Sequence, residues 1–324
     1  MMKRSHYERL LSIVDHNLLQ IFDQANARNF EEFVEIPAMR IMVGDENNPQ
    51  FASMNSTLQL LFHLYSMRKH GEKIFVLEPD ITLMLSNTDI KGVIGNQLRT
   101  PYQEQLFVLP ENQTLLELYN PDTGYHRLSE IYVSYLDGEL RLMAVGAANG
   151  NSIDEHDDTF AYFRFVITGD QDLKAQITAQ IDHHSKDSLL VLSGGVHNLD
   201  KAAYLFNFIL NTLLYVCSPD AETYYEGWAD VDRKISKLSG KAKKAAISKL
   251  KARHHFLKIR LGANVKLTAE QRQYYASGST SKRTLVMGHW MHYHIGVGRT
   301  EIVLKWRQPF WRGVGELSNV PHLL

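Results

Sequence analysis

The chain is expected to fold as an α+β protein, with a central antiparallel sheet, flanking helices and a C-terminal β-hairpin. Three observations set that expectation. Helical periodicity near the start gives way at about Gln105 to short alternating runs separated by turn residues. The helical pattern returns near Asp200, and the tail alternates once more around a pair of glycines.

From Tyr7, apolar residues recur at Leu10, Leu11, Val14, Leu18 and Ile21, the spacing of one helix face. A second helix is predicted over Met54 to Arg68 through Leu58, Leu61 and Tyr65. Between Gln105 and Ile167 the runs QLFVL, TLLELY, IYVSYL, LRLMAVG and TFAYFRFVI are broken by NPDTG and LDGE. Alternation with Asp-Gly turns predicts an antiparallel meander. SIDEHDD, before the last run, reads as an acidic surface loop without the glycine and ligand spacing of a calcium loop. After SLLVLSGG, an apolar helix from Asp200 to Cys217 should lie on the sheet. Its Asn207, Asn211 and Thr212, and a length short of the roughly 20 residues that span a bilayer, argue against a membrane segment.

SPDAETYYEGWAD reads as an irregular connection, and KAKKAAISKLKARHHFLKI as a helix that starts at Gly240. In EIVLKWR, Ile302, Leu304 and Trp306 share one face, while Glu301, Val303, Lys305 and Arg307 share the other. With RTLVM upstream, this predicts a hairpin that turns at Gly296 to Arg299, the glycines supplying positive φ and Trp306 entering the core with Ile302 and Leu304.

With 44% hydrophobic and 22% charged residues among 324, the composition is that of a soluble globular protein. Cys217 is the only cysteine, which excludes an intrachain disulfide and a multi-cysteine zinc site and points to the reducing cytoplasm. Glu8 and Asp15 interrupt the N-terminal apolar run, so no secretory leader is expected there. The net charge of −1 hides a strong polarity. Residues 1–232 hold 16 Lys+Arg against 33 Asp+Glu, a net −17; residues 233–324 hold 19 against 3, a net +16. The chain therefore divides into an acidic α+β region, 1–199, and a basic region, 200–324, expected to pack as one unit.

The stretch GHWMHYHIGVGRTEIVLKWRQP gathers most of the chemistry. His289, His292 and His294 form an H-x2-H-x-H array, but strand geometry turns His289 away from the other two, so no metal site is expected. GVG is followed by a strand and not by a helix N-terminus, so no phosphate loop is expected either. No nucleophile elbow, Walker sequence or spaced carboxylate pair appears, and neither catalytic residues nor a cofactor are assigned. Nucleic-acid contact is the better reading. From Arg233 to Arg260 there is no acidic residue, and Lys241, Lys244, Lys249, Lys251 and Arg253 are candidate phosphate or ribosome contacts, with Trp290, His292, Tyr293 and Trp311 as stacking faces. The bland alternative docks this basic segment on the chain's own acidic half.

The C-terminal residues resemble the type V-A anti-CRISPR family two proteins. The matching signature is Gly288, His289, Trp290, Tyr293, Gly296, Gly298, Trp306 and Pro309, with weaker echoes in LLYVCSPDAE and KIRLGANVK, at Cys217, Pro219, Arg260, Leu261 and Gly262. Lys282 and Arg283 fit the family's basic lead-in, whereas TLVM replaces the more basic residues expected just before Gly288. His292 and His294 fall where the pattern demands no histidine. The resemblance implies a protein of mobile elements that recognises the nascent N-terminal peptide of a CRISPR effector nuclease on the translating ribosome and causes loss of its mRNA. A peptide reader needs a groove or a free sheet edge, and His289, Trp290, Tyr293, Arg283 and Arg299 are the expected contacts. Three other readings stand beside it: an RNA- or ribosome-binding module without peptide recognition, mimicry of nucleic acid by the acidic half, and a ribonuclease that uses the C-terminal histidines. No membrane partner is expected, and self-association is left open.

Overall fold

Side chains along the middle strands point alternately into two separate cores, and that alternation fixes the order of layers. Ile74, Leu106, Tyr132, Met143 and Val145 belong to one buried cluster; Phe75, Phe107, Ile131, Val133, Leu142 and Ala144 belong to another. The structure, a computed structural model, describes residues 6–43, 56–111, 113, 116–120, 124–146, 159–186, 199–225, 238–242, 257–277 and 284–312.

The first cluster is closed by the N-terminal helices α1 (His6–Ile13), α2 (His16–Gln24), α3 (Phe30–Val34), α4 (Pro37–Val43) and α5 (Ser56–His70). Phe22, Phe30, Phe33, Phe62 and Tyr65 interlock there with ring centroids 5.3 to 6.4 Å apart, half of the pairs edge to face and half tilted. The second cluster is covered by α6 (Pro79–Ser86), α7 (Leu173–Lys186) and α8 (Leu199–Val216), the last being the predicted apolar helix.

The sheet between them has eight strands in the order β6-β5-β4-β2-β1-β8-β7, with β3 off this path on β4. The predicted meander is present as β2 (Glu104–Val108), β3 (Glu117–Asn120), β4 (Gly124–Leu136), β5 (Glu139–Gly146) and β6 (Thr159–Val166), antiparallel at every pairing. One strand that the sequence did not announce, β1 (Lys73–Leu77), runs parallel to β2 on one side and to β8 (Leu257–Leu261) on the other. β7 (Thr223–Tyr225) closes the far edge, antiparallel to β8. The sheet is thus antiparallel with a parallel insert, and through β8 it crosses residue 232, where the charge changes sign.

Two expectations change here. The stretch read as an irregular connection contributes β7, and the end of the supposed basic helix is β8. Ile259 and Leu261 are buried in turn with Lys258 and Arg260, a period of two that strand pairing beside β1 enforces over the helix propensity of the lysines upstream. Lys258 reaches the Glu8 carboxylate at 2.9 Å and Arg260 reaches Glu78 at 2.7 Å, so both cations meet the chain's own acids. Gly240 opens a helical turn at a φ of 55°, at the predicted start.

Candidate functional site: the C-terminal hairpin

The last described elements are α9 (Ala269–Ser277) and, in the segment 284–312, β9 (Thr284–Val286), β10 (His289–Ile295), β11 (Glu301–Arg307) and β12 (Phe310–Arg312). β10 and β11 form the predicted hairpin, in continuous register from His289 opposite Arg307 to Ile295 opposite Glu301, while β12 pairs with β9. Its turn is a 3-10 bend over Val297–Arg299, with φ of 81° at Gly296, 72° at Gly298 and 55° at Arg299.

Register assigns the faces. Trp290, His292 and His294 share the inner face with Trp306, Leu304 and Ile302. At the root both indoles are buried. Trp290 donates to Asn211 Oδ1 at 2.7 Å, and Trp306 donates to Thr88 Oγ1 at 3.3 Å and meets Tyr215 edge-on at 5.1 Å. Gly288 lets the backbone come this close: a Cβ there would lie 2.8 Å from Thr88 Oγ1 and 3.0 Å from Trp306 Nε1. Farther out, His292 Nε2 lies 2.8 Å from Gln97 Nε2, and Leu304 packs against the core. Ile302, expected inside with Trp306 and Leu304, is instead 59% exposed, because the hairpin projects past the helices that cover its root.

The outer face carries His289, Met291, Tyr293 and Ile295 opposite Arg307, Lys305, Val303 and Glu301. Lys305 Nζ lies 5.9 Å from the Tyr293 ring centre, and the Arg307 guanidinium 5.1 Å from that of Phe310, so cations and aromatic faces are interleaved on one exposed surface. Val297 stands at the tip, 99% exposed.

The expected contact residues are therefore divided by the fold. Trp290 anchors the hairpin; His289 is half-buried, its Nδ1 3.0 Å from the Met287 carbonyl; Tyr293 and Arg299 are exposed. Lys241 is exposed, whereas Lys244, Lys249, Lys251, Arg253 and Arg283 lie outside the described residues. Among the described residues no three His, Cys, Asp or Glu side chains converge on a metal-binding geometry.

Folding requirements account for most of the family-like positions. Gly262 sits at a φ of 79°, where a Cβ would approach Ile81 Cβ to 2.5 Å. Leu261 and Pro309 are buried, and Arg260 is paired with Glu78. The Cys217 thiol donates to the Arg99 carbonyl at 3.3 Å, and burial pushes its pKa up to about 11, so it stays a protonated hydrogen-bond donor at neutral pH. Tyr293 is different: it is a large aromatic at a signature position, and it lies exposed. Sequence pattern held no hint of Ile295, Val297 and Ile302 as an exposed apolar set, nor of the Asn211 and Thr88 anchors. It was equally silent on a cavity of about 380 Å³ between α3 and the β4–β5 turn, where Arg141 is paired with Glu31 and Glu139 and stacks 5.2 Å from the Phe30 ring centre.

A mixed α+β protein with a projecting aromatic and cationic hairpin is the class that this geometry defines. The chain matches the family model AcrVA2-like, the anti-CRISPR type V subtype A2 family, over residues 75–313, from β1 through β12. It belongs to that family. It is also similar to a solved chain described as the crystal structure of AcrVA2, at 13% identity and a TM-score of 0.48, over 94% of this chain and 95% of that one. No curated protein matches it. No described helix is long and apolar enough to cross a membrane.

Proposed function

We propose that this anti-CRISPR family member acts during translation: it reads the nascent N-terminal peptide of a CRISPR effector nuclease on the outer face of the hairpin and causes loss of the message being translated. The observation that carries the reading is Tyr293, an exposed aromatic flanked by Lys305 at a signature position that packing does not require. Exposed aromatics with a cation beside them are the side chains from which peptide hot spots are built. His289 and Arg299 border the same surface, and Trp290 holds it in place from behind. Arg283 is assigned to the same contact from its place in the sequence.

The ribosome or mRNA contact falls to the basic segment. Lys258 and Arg260 are paired with Glu8 and Glu78, and Lys241, Lys244, Lys249, Lys251 and Arg253 are assigned to phosphates from their place in a stretch without acidic residues. In a translation extract programmed with an effector message, Tyr293→Ala should weaken suppression roughly tenfold or more. Reversing the five charges should abolish salt-sensitive ribosome association while leaving peptide binding in place. Undiminished suppression by folded Tyr293→Ala protein would remove the hairpin from the mechanism.

A further inference from the structure

We infer that the hairpin is also a self-association seam: β11 of one copy pairs antiparallel with β11 of a second copy, about a two-fold axis at Val303. This goes beyond peptide reading, because it uses the open backbone edge of β11, with Glu301 and Lys305 of the Tyr293 face beside it.

The two edges of the hairpin differ. The outer edge of β10 is flanked at its root by the bridge between Asp89 and His289 and by the Gln97 to His292 contact. Along the outer edge of β11, no backbone hydrogen bond reaches any other described segment. A proline, a bulge and a covering element are missing from Glu301–Arg307 among the described residues, and the charges the strand carries, Glu301, Lys305 and Arg307, are of mixed sign. Exposed apolar side chains also collect at this end of the hairpin, at Ile302, Val297 and Ile295.

Charge complementarity selects the partner and the register. Centred on Val303, antiparallel pairing sets Glu301 opposite the partner's Lys305, Ile302 opposite the partner's Leu304, and Val303 opposite the partner's Val303. Each charge meets its opposite twice, and each apolar residue meets an apolar one. Parallel pairing in register would oppose lysine to lysine. A shift of one residue toward Arg307 would oppose Val303 to Lys305, and Ile302 to the buried Trp306. The chosen register stops short of that root, places the two protein bodies at opposite ends of the seam, and joins the hairpins into a four-stranded sheet with both Tyr293 faces on one side.

Sedimentation velocity on the full chain over a concentration series tests the seam. Wild-type protein should show a concentration-dependent dimer. Glu301→Lys and Lys305→Glu, each placing like charges opposite one another twice, should each weaken it about tenfold or more, and the double variant E301K/K305E should restore it. Inside the chain, Glu301 faces Ile295 and Lys305 faces Met291, so neither reversal breaks a cross-strand ion pair of the hairpin. Val303→Cys in a Cys217→Ser background should cross-link two copies on mild oxidation. A wild-type monomer throughout the series would overturn the inference, as would a dimer that ignores both single reversals.

Discussion

Trp290 donates its indole N–H to the side-chain oxygen of Asn211 at 2.7 Å, and this bond ties the hairpin to the middle of α8. Asn211 is fully buried and passes the connection on, its Nδ2 donating to the Thr88 carbonyl at 2.7 Å, where Asn207 also donates at 2.8 Å. A polar residue in so apolar a helix survives because every group it offers is satisfied. The surface that carries Tyr293 is thus aimed by a residue on a different element.

Asn211→Leu should therefore destabilise the fold by about 1 to 3 kcal/mol, since it leaves the Trp290 N–H buried without an acceptor. Adding Trp290→Phe should recover part of that loss, because removing both partners of a buried hydrogen bond costs less than orphaning one. Urea denaturation of the two single variants and the double variant measures the coupling. Strict additivity would mean that the bond does not hold the hairpin.

Gly262→Ala should be more damaging, at roughly 3 kcal/mol or more, because it combines a left-handed backbone with a Cβ driven into Ile81. Trimming Ile81 to Ala in the same chain should relieve the steric part and leave the backbone part. Gly288→Ala, whose Cβ would press on Thr88 and Trp306, should loosen the hairpin root and raise its susceptibility to proteases while the sheet stays folded. Thermal melts with limited proteolysis separate the two cases.

What the sequence disclosed follows from period. The meander, α8 and the glycine turn of the hairpin each carry a repeating local signal, and each stands where it was read. KIFVL and LKIRL, as β1 and β8, were missed because short runs in parallel pairing beside partners far along the chain give no turn to announce them. In the hairpin, alternation separated Trp290 from Tyr293 but could not say which face docks. Asn211 decides that, from 79 positions away.

The Asp80 carboxylate shows a second fastening that no local pattern foretold. Arg272 donates to it at 2.9 and 2.6 Å and the Leu267 N–H at 3.0 Å, fixing α9 to the start of α6. Burial alone would raise its pKa; the Arg272 and Leu267 bonds outweigh burial and hold it below the ordinary value of 3.8. The stabilisation is present above that value and is lost as pH falls through the lowered one. Asp80→Asn should cost about 1 to 2 kcal/mol at neutral pH, a figure reduced because Arg272 is half exposed, and the deficit should vanish in strong acid. An equal deficit at both pH values would show that the charge is not involved.

His6 adds a second acid response of the same sign at the N-terminal edge. Its ring is buried against Tyr132 and Phe160, its Nδ1 lies 3.0 Å from the Tyr132 hydroxyl, and its backbone N–H donates to Glu130 at 2.6 Å. Burial first, and then the charge of Arg9, lower its pKa from 6.5 to about 3, while burial raises Tyr132 well above 10, so a neutral imidazole faces a neutral phenol. The unfolded chain binds a proton at His6 between pH 6.5 and 3 that the folded chain refuses. Stability is therefore complete above pH 6.5 and falls as pH drops toward 3, by an upper limit on the order of 5 kcal/mol. Local release of α1 from the sheet returns the His6 ring to water, so it relieves this cost without global unfolding. Hydrogen exchange should show α1 amides losing protection between pH 6 and 4 ahead of the sheet, on a scale set by the His6 shift. His6→Gln, which keeps a hydrogen-bonding side chain but has no proton to gain, should flatten that dependence. If the variant loses α1 protection along the same pH curve as wild type, another group controls the release.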